Sequence, residues 1–102
     1  MKKILQINYK YNRTRQEQEK ASLQSAQTIA NVKGIIWKVW IVNEAEKIAG
    51  GIYLFEDEAS VEAYLKGPII AAMKKVPVIS GFEAKIFDII PEATKITHGP
   101  VD

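Results

Sequence analysis

The stretch Gly34–Phe55, GIIWKVWIVNEAEKIAGGIYLF, limits the possible folds more than any other part of the chain. Two runs rich in β-branched and aromatic residues flank a short polar segment, Asn43–Lys47, the pattern of a β-hairpin. The first run, Ile35–Val42, is apolar at every position except Lys38. A strand with one wet face should alternate, and this one does not, so both of its faces call for cover. One domain with two or three helices covers only one face of its sheet. The other face then needs a second chain or a ligand.

The remaining chain supplies the partners of this hairpin. Ile4–Tyr11 alternates, with Leu5, Ile7, Tyr9 and Tyr11 on one side and Ile4, Gln6 and Asn8 on the other, which predicts a strand. Thr14 followed by Glu17 fits a capping box, opening a helix to about Asn31 with Leu23, Ala26, Ile29 and Ala30 as its buried stripe. Asp57 caps a second helix, Gly67 breaks it, and Pro68 opens a short third one ended by Pro77. Phe82–Ile90 carries the alternation of a last strand, which Val78 can begin earlier. Pro91 ends regular structure and leaves 91–102 as a tail, loose or docked on a partner. The order β-α-β-β-α-β is that of a ferredoxin-like α+β domain, a four-stranded antiparallel sheet with helices on one face. Residues 1–102 form one such domain.

Period-2 geometry without a bulge sorts the strand residues. The more apolar set (Leu5, Ile7, Ile35, Trp37, Val39, Ile41, Ile52, Leu54, Ala84 and Ile86) is expected against the helices. The opposite set is Gln6, Asn8, Ile36, Lys38, Trp40, Val42, Gly51, Tyr53, Phe55, Glu83, Lys85 and Phe87. It mixes large aromatics with a few hydrogen-bonding groups, the composition of a small-molecule pocket. It is also too apolar for water, so two such sheets facing each other across a dimer axis would satisfy both demands. Pairing Trp40 with Gly51 sets Tyr53 beside Lys38. A slip to Gly50 would move Tyr53 to the other face, and the first register is preferred because it keeps Ile52 and Leu54 with the fully apolar set.

Composition excludes several functions. The net charge of +2 on 102 residues is too dilute for a nucleic-acid footprint. An RNA-recognition module shares the element order, but aligning Gly51–Phe55 with its third strand leaves Gly50 and Ile52 where stacking rings should stand. No cysteine is present, so there is no disulfide, thiolate nucleophile or zinc–sulfur site. No apolar run is long enough to span a membrane, and MKKILQINYK turns polar too early for a secretory leader, so a cytoplasmic protein is expected. Asp57, Glu58 and Glu62 read as a solvated helix start rather than a metal cluster. Gly50-Gly51 precedes a strand, not a helix, so it is no phosphate loop.

Gly34-x-x-Trp37-Lys38-Val39-Trp40, Ala49-Gly50-Gly51-Ile52-Tyr53-Leu54-Phe55, Asp57-Glu58, Ser60, Ala63-Tyr64-Leu65 and Ala84-Lys85-Ile86-Phe87-Asp88-Ile89 resemble the YdhR-like monooxygenase family, over roughly residues 3–90. The resemblance implies a homodimeric α+β barrel. It also implies kinship with the antibiotic-biosynthesis monooxygenases, which oxidise aromatic polyketides with O2 and use neither metal nor flavin. A pocket between sheet and helices, or between the sheets of a dimer, would hold a small aromatic or quinone-like molecule.

In such a pocket Asn8 and Gln6 could hydrogen-bond a substrate carbonyl or phenol, Trp40 could wall it, and Tyr53 could donate a proton to a developing oxyanion. Lys38 or Lys85 could stabilise phenolate charge, with Phe55 and Phe87 completing the lining. No cofactor and no metal are expected. His98, the one histidine, lies in the Pro/Gly-bounded tail, which argues against a haem degrader drawing its axial ligand from a helix. The alternative is a non-catalytic small-molecule-binding or interaction dimer of the same fold, without nucleic-acid or membrane partners.

Overall fold

The helices begin where side chains can replace missing backbone partners. Thr14 Oγ1 accepts from the Glu17 amide at 3.1 Å and Glu17 Oε1 accepts from the Thr14 amide at 2.9 Å, closing the expected capping box. Asp57 Oδ1 accepts from the Ser60 amide at 2.8 Å to start the second helix, and Pro68 stands in the first turn of the third. In the computed structural model, which describes all 102 residues, the order is β1 (Lys3–Tyr11), α1 (Arg15–Ala30), β2 (Ile35–Asn43), β3 (Ile48–Phe55), α2 (Glu58–Lys66), α3 (Pro68–Lys74), β4 (Ile79–Phe87) and α4 (Pro91–Ile96). The strands form one antiparallel sheet in the order β2-β3-β1-β4, the ferredoxin-like arrangement. The last strand begins at Ile79, three residues before the expected Phe82. A bulge between Ser80 and Glu83, where Gly81 takes φ +60°, interrupts its alternation.

The register of the hairpin is the preferred one: Trp40 faces Gly51 and Lys38 faces Tyr53. Its orientation is reversed. Leu5 pairs with Tyr53 and Ile7 with Gly51, and directly opposed residues share a face. Tyr53 and Phe55, and with them Lys38, Trp40 and Val42, therefore lie on the helix side with Leu5, Ile7 and Tyr9. Trp37, Val39, Ile41, Ile52 and Leu54 lie on the far side. The cause in β2 is a bulge at Ile36, between the pairs Ile35–Phe55 and Trp37–Leu54, which inverts every later side chain. The helix-side core joins Leu5, Ile7, Tyr53 and Phe55 to Ile29 of α1, Val61 and Tyr64 of α2, and Ile70 of α3.

The far face is apolar and only partly covered: Val39 is 52% and Phe87 46% exposed. The tail, expected irregular from Pro91 and loose or docked on a partner, instead opens with α4, Pro91 standing in its first turn, and is bound to its own chain across one end of this face. Trp37 Nε1 donates to Pro100 O at 2.8 Å and Lys2 Nζ to Val101 O at 2.9 Å. Leu54, flanked by Ile4 and Trp37, is fully buried there. No helix is long and apolar enough to cross a membrane.

Candidate functional site under the first helix

The inward side of α1 is made of small and polar residues. Gln18, Ala21, Ser22, Ser25 and Ile29 repeat at helical spacing, and only Gln18 and Ile29 are buried. The expected stripe of Leu23, Ala26, Ile29 and Ala30 is corrected: Leu23 is 78% exposed, Ala30 is exposed as well, and Ile29 alone of the four is buried. The helix is held in this rotation by Gln18, whose Nε2 donates to the Tyr9 hydroxyl at 2.8 Å. Its Oε1 accepts from Arg13 Nε at 2.9 Å. A helix presenting serine and alanine to a sheet cannot fill the space beneath it, and the Trp40 indole reaches into that space from β2.

Two cavities result, and they share Gln18, Ser22 and Trp40. One, of about 360 Å³, lies between α1, α3 and the sheet and adds Tyr9, Ser25 and Met73. The other, of about 370 Å³, opens toward the hairpin beside Arg15, Glu19 and Val42. Each is of the size that holds a small organic ligand, apolar with a few polar groups. The Tyr9 hydroxyl already accepts from Gln18, so its own proton is free to be donated. Burial holds this phenol above its ordinary pKa, against the opposing pull of the Gln18 bond, and keeps it protonated.

The eight residues expected to share one site fall on two faces. Lys38, Trp40, Tyr53 and Phe55 are on the helix side. Trp40 lines both cavities, whereas Tyr53 and Phe55 are 1% and 0% exposed and belong to the core. The Tyr53 hydroxyl is bonded to that of Tyr64 at 2.9 Å, and burial, then the Tyr64 neighbour, drives its pKa far above the ordinary phenol value. Lys38 Nζ lies 3.3 Å from the centroid of the Trp40 ring and 4.6 Å from that of Tyr53, and burial pushes its pKa down to about 7. Gln6, Asn8, Lys85 and Phe87 lie together on the far face around a depression of about 150 Å³, with Gln6 Nε2 donating to Asn8 Oδ1 at 3.0 Å. His98 is exposed beyond α4, and no group of three or more His, Cys, Asp or Glu side chains is placed to hold a metal ion.

Tyr9, Gln18 and Arg13 are the polar residues at the cavity that sequence reasoning missed. The missing bulk on α1 was the available signal, since a helix whose inward positions are small leaves room for something else.

A four-stranded antiparallel layer roofed on one face by helices is a ferredoxin-like α+β domain. The chain belongs to the family described as putative mono-oxygenase ydhR, whose family model matches residues 4–100. Among solved structures it is similar to a protein of unknown function from Nitrosomonas europaea, with TM-score 0.67 and 22% identity, over 87% of this chain and 89% of that one. SnoaB, a cofactor-independent oxygenase from Streptomyces nogalater, is similar with TM-score 0.68 and 14% identity, over 89% and 98% of the two chains. The haem degrader MhuD of Mycobacterium tuberculosis follows the same fold with TM-score 0.65 and 22% identity, over 85% and 95%. At these identities the likeness is one of fold. Comparison with curated proteins returns no match.

Proposed function

We propose that this chain is a cofactor-independent monooxygenase whose substrate, a small aromatic or quinone-like molecule, binds between α1 and the sheet. The observation that carries the reading is the Tyr9 hydroxyl, held by Gln18 with its proton free, on the wall of a cavity that Trp40 also lines. A phenol that stays protonated can stabilise a phenolate or enolate oxygen by hydrogen bonding without itself ionising. Trp40 offers a flat face for ring stacking, and Ile69, Met73 and Val76 make an apolar opposite wall.

For an anthrone-type substrate the balance is simple. The activated CH2 carbon loses a proton to water, and the anion held by Tyr9 passes electrons to O2. The carbon ends with two C–H bonds exchanged for C=O, one oxygen atom from O2 is retained, and the other leaves as water. SnoaB is named as a cofactor-independent oxygenase, which supports this chemistry on the fold. The lack of a histidine on the cavity wall speaks against carrying the haem of MhuD over to this chain.

The same reading includes a homodimer with far faces together. Val39 and Phe87 are exposed there, and the edge strand β4 is exposed over most of its length. Gln6, Asn8, Lys85 and Phe87 would then lie at the sheet-to-sheet interface.

Oxygen consumption by the metal-free protein with an anthrone-type compound or a hydroquinone tests the proposal. Uptake above the uncatalysed rate, reduced at least tenfold by Tyr9→Phe while binding persists, is expected, a typical size for a lost oxyanion donor. Binding without uptake would assign the alternative, a non-catalytic ligand-binding dimer. Neither binding nor uptake would remove both.

A further inference from the structure

Lys38 lies against Trp40, a wall of both cavities, and the proposed reaction does not use it. Its side chain lies flat over Gly51, where a Cβ would come within 2.4 Å of Lys38 Cε and 3.2 Å of Tyr53 Cε1. The amine sits between the Tyr53 and Trp40 rings, with no carboxylate within ion-pairing distance. The Tyr53 ring beneath it is fixed, being buried and tied to Tyr64. Trp40, above it, lines both cavities. We infer that Lys38 is a positioning residue: laid in the Gly51 notch on the Tyr53 ring, it props the Trp40 indole under α1 and so sets the shape of the ligand cavity. The inference deepens the reading above and rests on it for the identity of the ligand site.

A cation held against two ring faces is attracted to both, and that attraction is lost when the amine gives up its proton. The groups facing it are few. Tyr53 of β3, Tyr64 of α2 and Tyr9 of β1 all have pKa values raised by burial and stay neutral. From α1, across Trp40, come Arg15 and Glu19, which are paired with each other at 3.1 Å, Arg15 also reaching Glu44 at 3.3 Å. Lys38 is therefore the group near Trp40 that changes charge close to neutral pH.

The test begins without ligand. In a Trp37→Phe background Trp40 is the sole tryptophan, and its emission is followed from about pH 5.5 to about pH 9. A change of about 1.5-fold or more, centred near pH 7, is expected from a charge switching at van der Waals distance from the ring. Lys38→Met, which keeps the length of the prop but not its charge, should abolish the change. A flat profile, or one that persists in Lys38→Met, overturns the inference.

Equilibrium dialysis with 2-naphthol then reads the cavity. Gly51→Ala and Lys38→Ala should each weaken binding about tenfold, while Lys38→Met should stay within about threefold, because the stem rather than the charge fills the space. Equal binding by wild type and Lys38→Ala would also overturn it. If 2-naphthol does not bind wild type but the emission titrates as described, the ligand-site reading fails while the placement of Lys38 stands.

Discussion

The two long helices roof the same sheet in opposite ways. Beneath α2 the rings of Tyr53, Phe55 and Tyr64 stand with centroids 5.3–5.8 Å apart, and Val61 is fully buried among the core. Beneath α1 the inward residues are Ala21, Ser22 and Ser25, and cavities open on both sides of Trp40. What differs is side-chain volume at the facing positions. Where the helix brings Val61 and Tyr64, these side chains are buried against the rings of the sheet. Where it brings hydroxyls and methyls, the helix is held off by one indole and one hydrogen-bonded glutamine. Stability is concentrated at one end of the roof, which leaves the other end free to enclose a ligand.

The sharpest way to break this contrast is to empty the closed end. Phe55→Ala removes a fully buried ring and should cost about 3–5 kcal/mol in urea denaturation, the usual loss for a core phenylalanine. Leu23→Ala, a change of comparable chemistry on the exposed side of α1, should stay within about 0.5 kcal/mol. Similar losses for the two would mean that α1 packs as tightly as α2.

A second test uses charge. Lys38 has a folded pKa of about 7 against an ordinary value of 10.5, so above pH 7 the unfolded chain binds the proton that the folded one releases. Stability should therefore rise with pH between these two values. The cost of the buried amine is felt in full below the lower value and is gone above the upper one. The displacement corresponds to about 5 kcal/mol as an upper bound. The two ring contacts return about 1–2 kcal/mol. Lys38→Met should thus be about 2–4 kcal/mol more stable than wild type near pH 6, with the advantage shrinking toward pH 10. An advantage that does not depend on pH would show that the amine is not the destabilising group.

Much of the frame was legible because it is written locally. Thr14 with Glu17, Asp57, and Gly67 before Pro68 mark helix starts by chemistry that needs no tertiary context. The pairing of Trp40 with Gly51 was legible in the apolar pattern, since it alone keeps Ile52 and Leu54 with the fully apolar set of β2. The faces were not legible, for a physical reason. In a strand apolar at every position but one, period 2 has no phase of its own. The one polar residue, Lys38, suggests the face turned from the helices, but its amine lies against Trp40 and Tyr53 on the helix side. The bulge at Ile36 left no trace either, since Ile35 and Ile36 are identical neighbours. Gln18 was hidden among a run of polar residues, and only its bond to Tyr9 distinguishes it. The split of Asn8 and Gln6 from Trp40 and Tyr53 is thus one error of phase, not several.

Within the open end, Tyr9→Phe separates support from chemistry. It strands the Gln18 amide, which loses its acceptor but keeps Arg13, so a loss of about 1–2 kcal/mol is expected in denaturant. Turnover with an anthrone-type substrate should fall far more than that stability loss suggests, because the free proton of this phenol is the proposed donor. A parallel drop in binding and turnover would make Tyr9 a wall residue.

The smallest effect on stability should come from closing the open end. Ser25 lines the cavity between α1 and α3, so Ser25→Leu puts three carbon atoms there in place of one hydroxyl oxygen. Burying such a side chain contributes about 1–2 kcal/mol, while displacing Trp40 or Met73 would take back a similar amount, so the net change should lie within about 1 kcal/mol of zero. Ligand binding should nevertheless be lost, because the added volume occupies the space the ligand needs. That combination, unchanged melting with abolished 2-naphthol binding, is what a cavity kept for a ligand predicts. A leucine that stabilises the fold and leaves binding intact would place the ligand on the hairpin side of Trp40, beside Arg15 and Glu19.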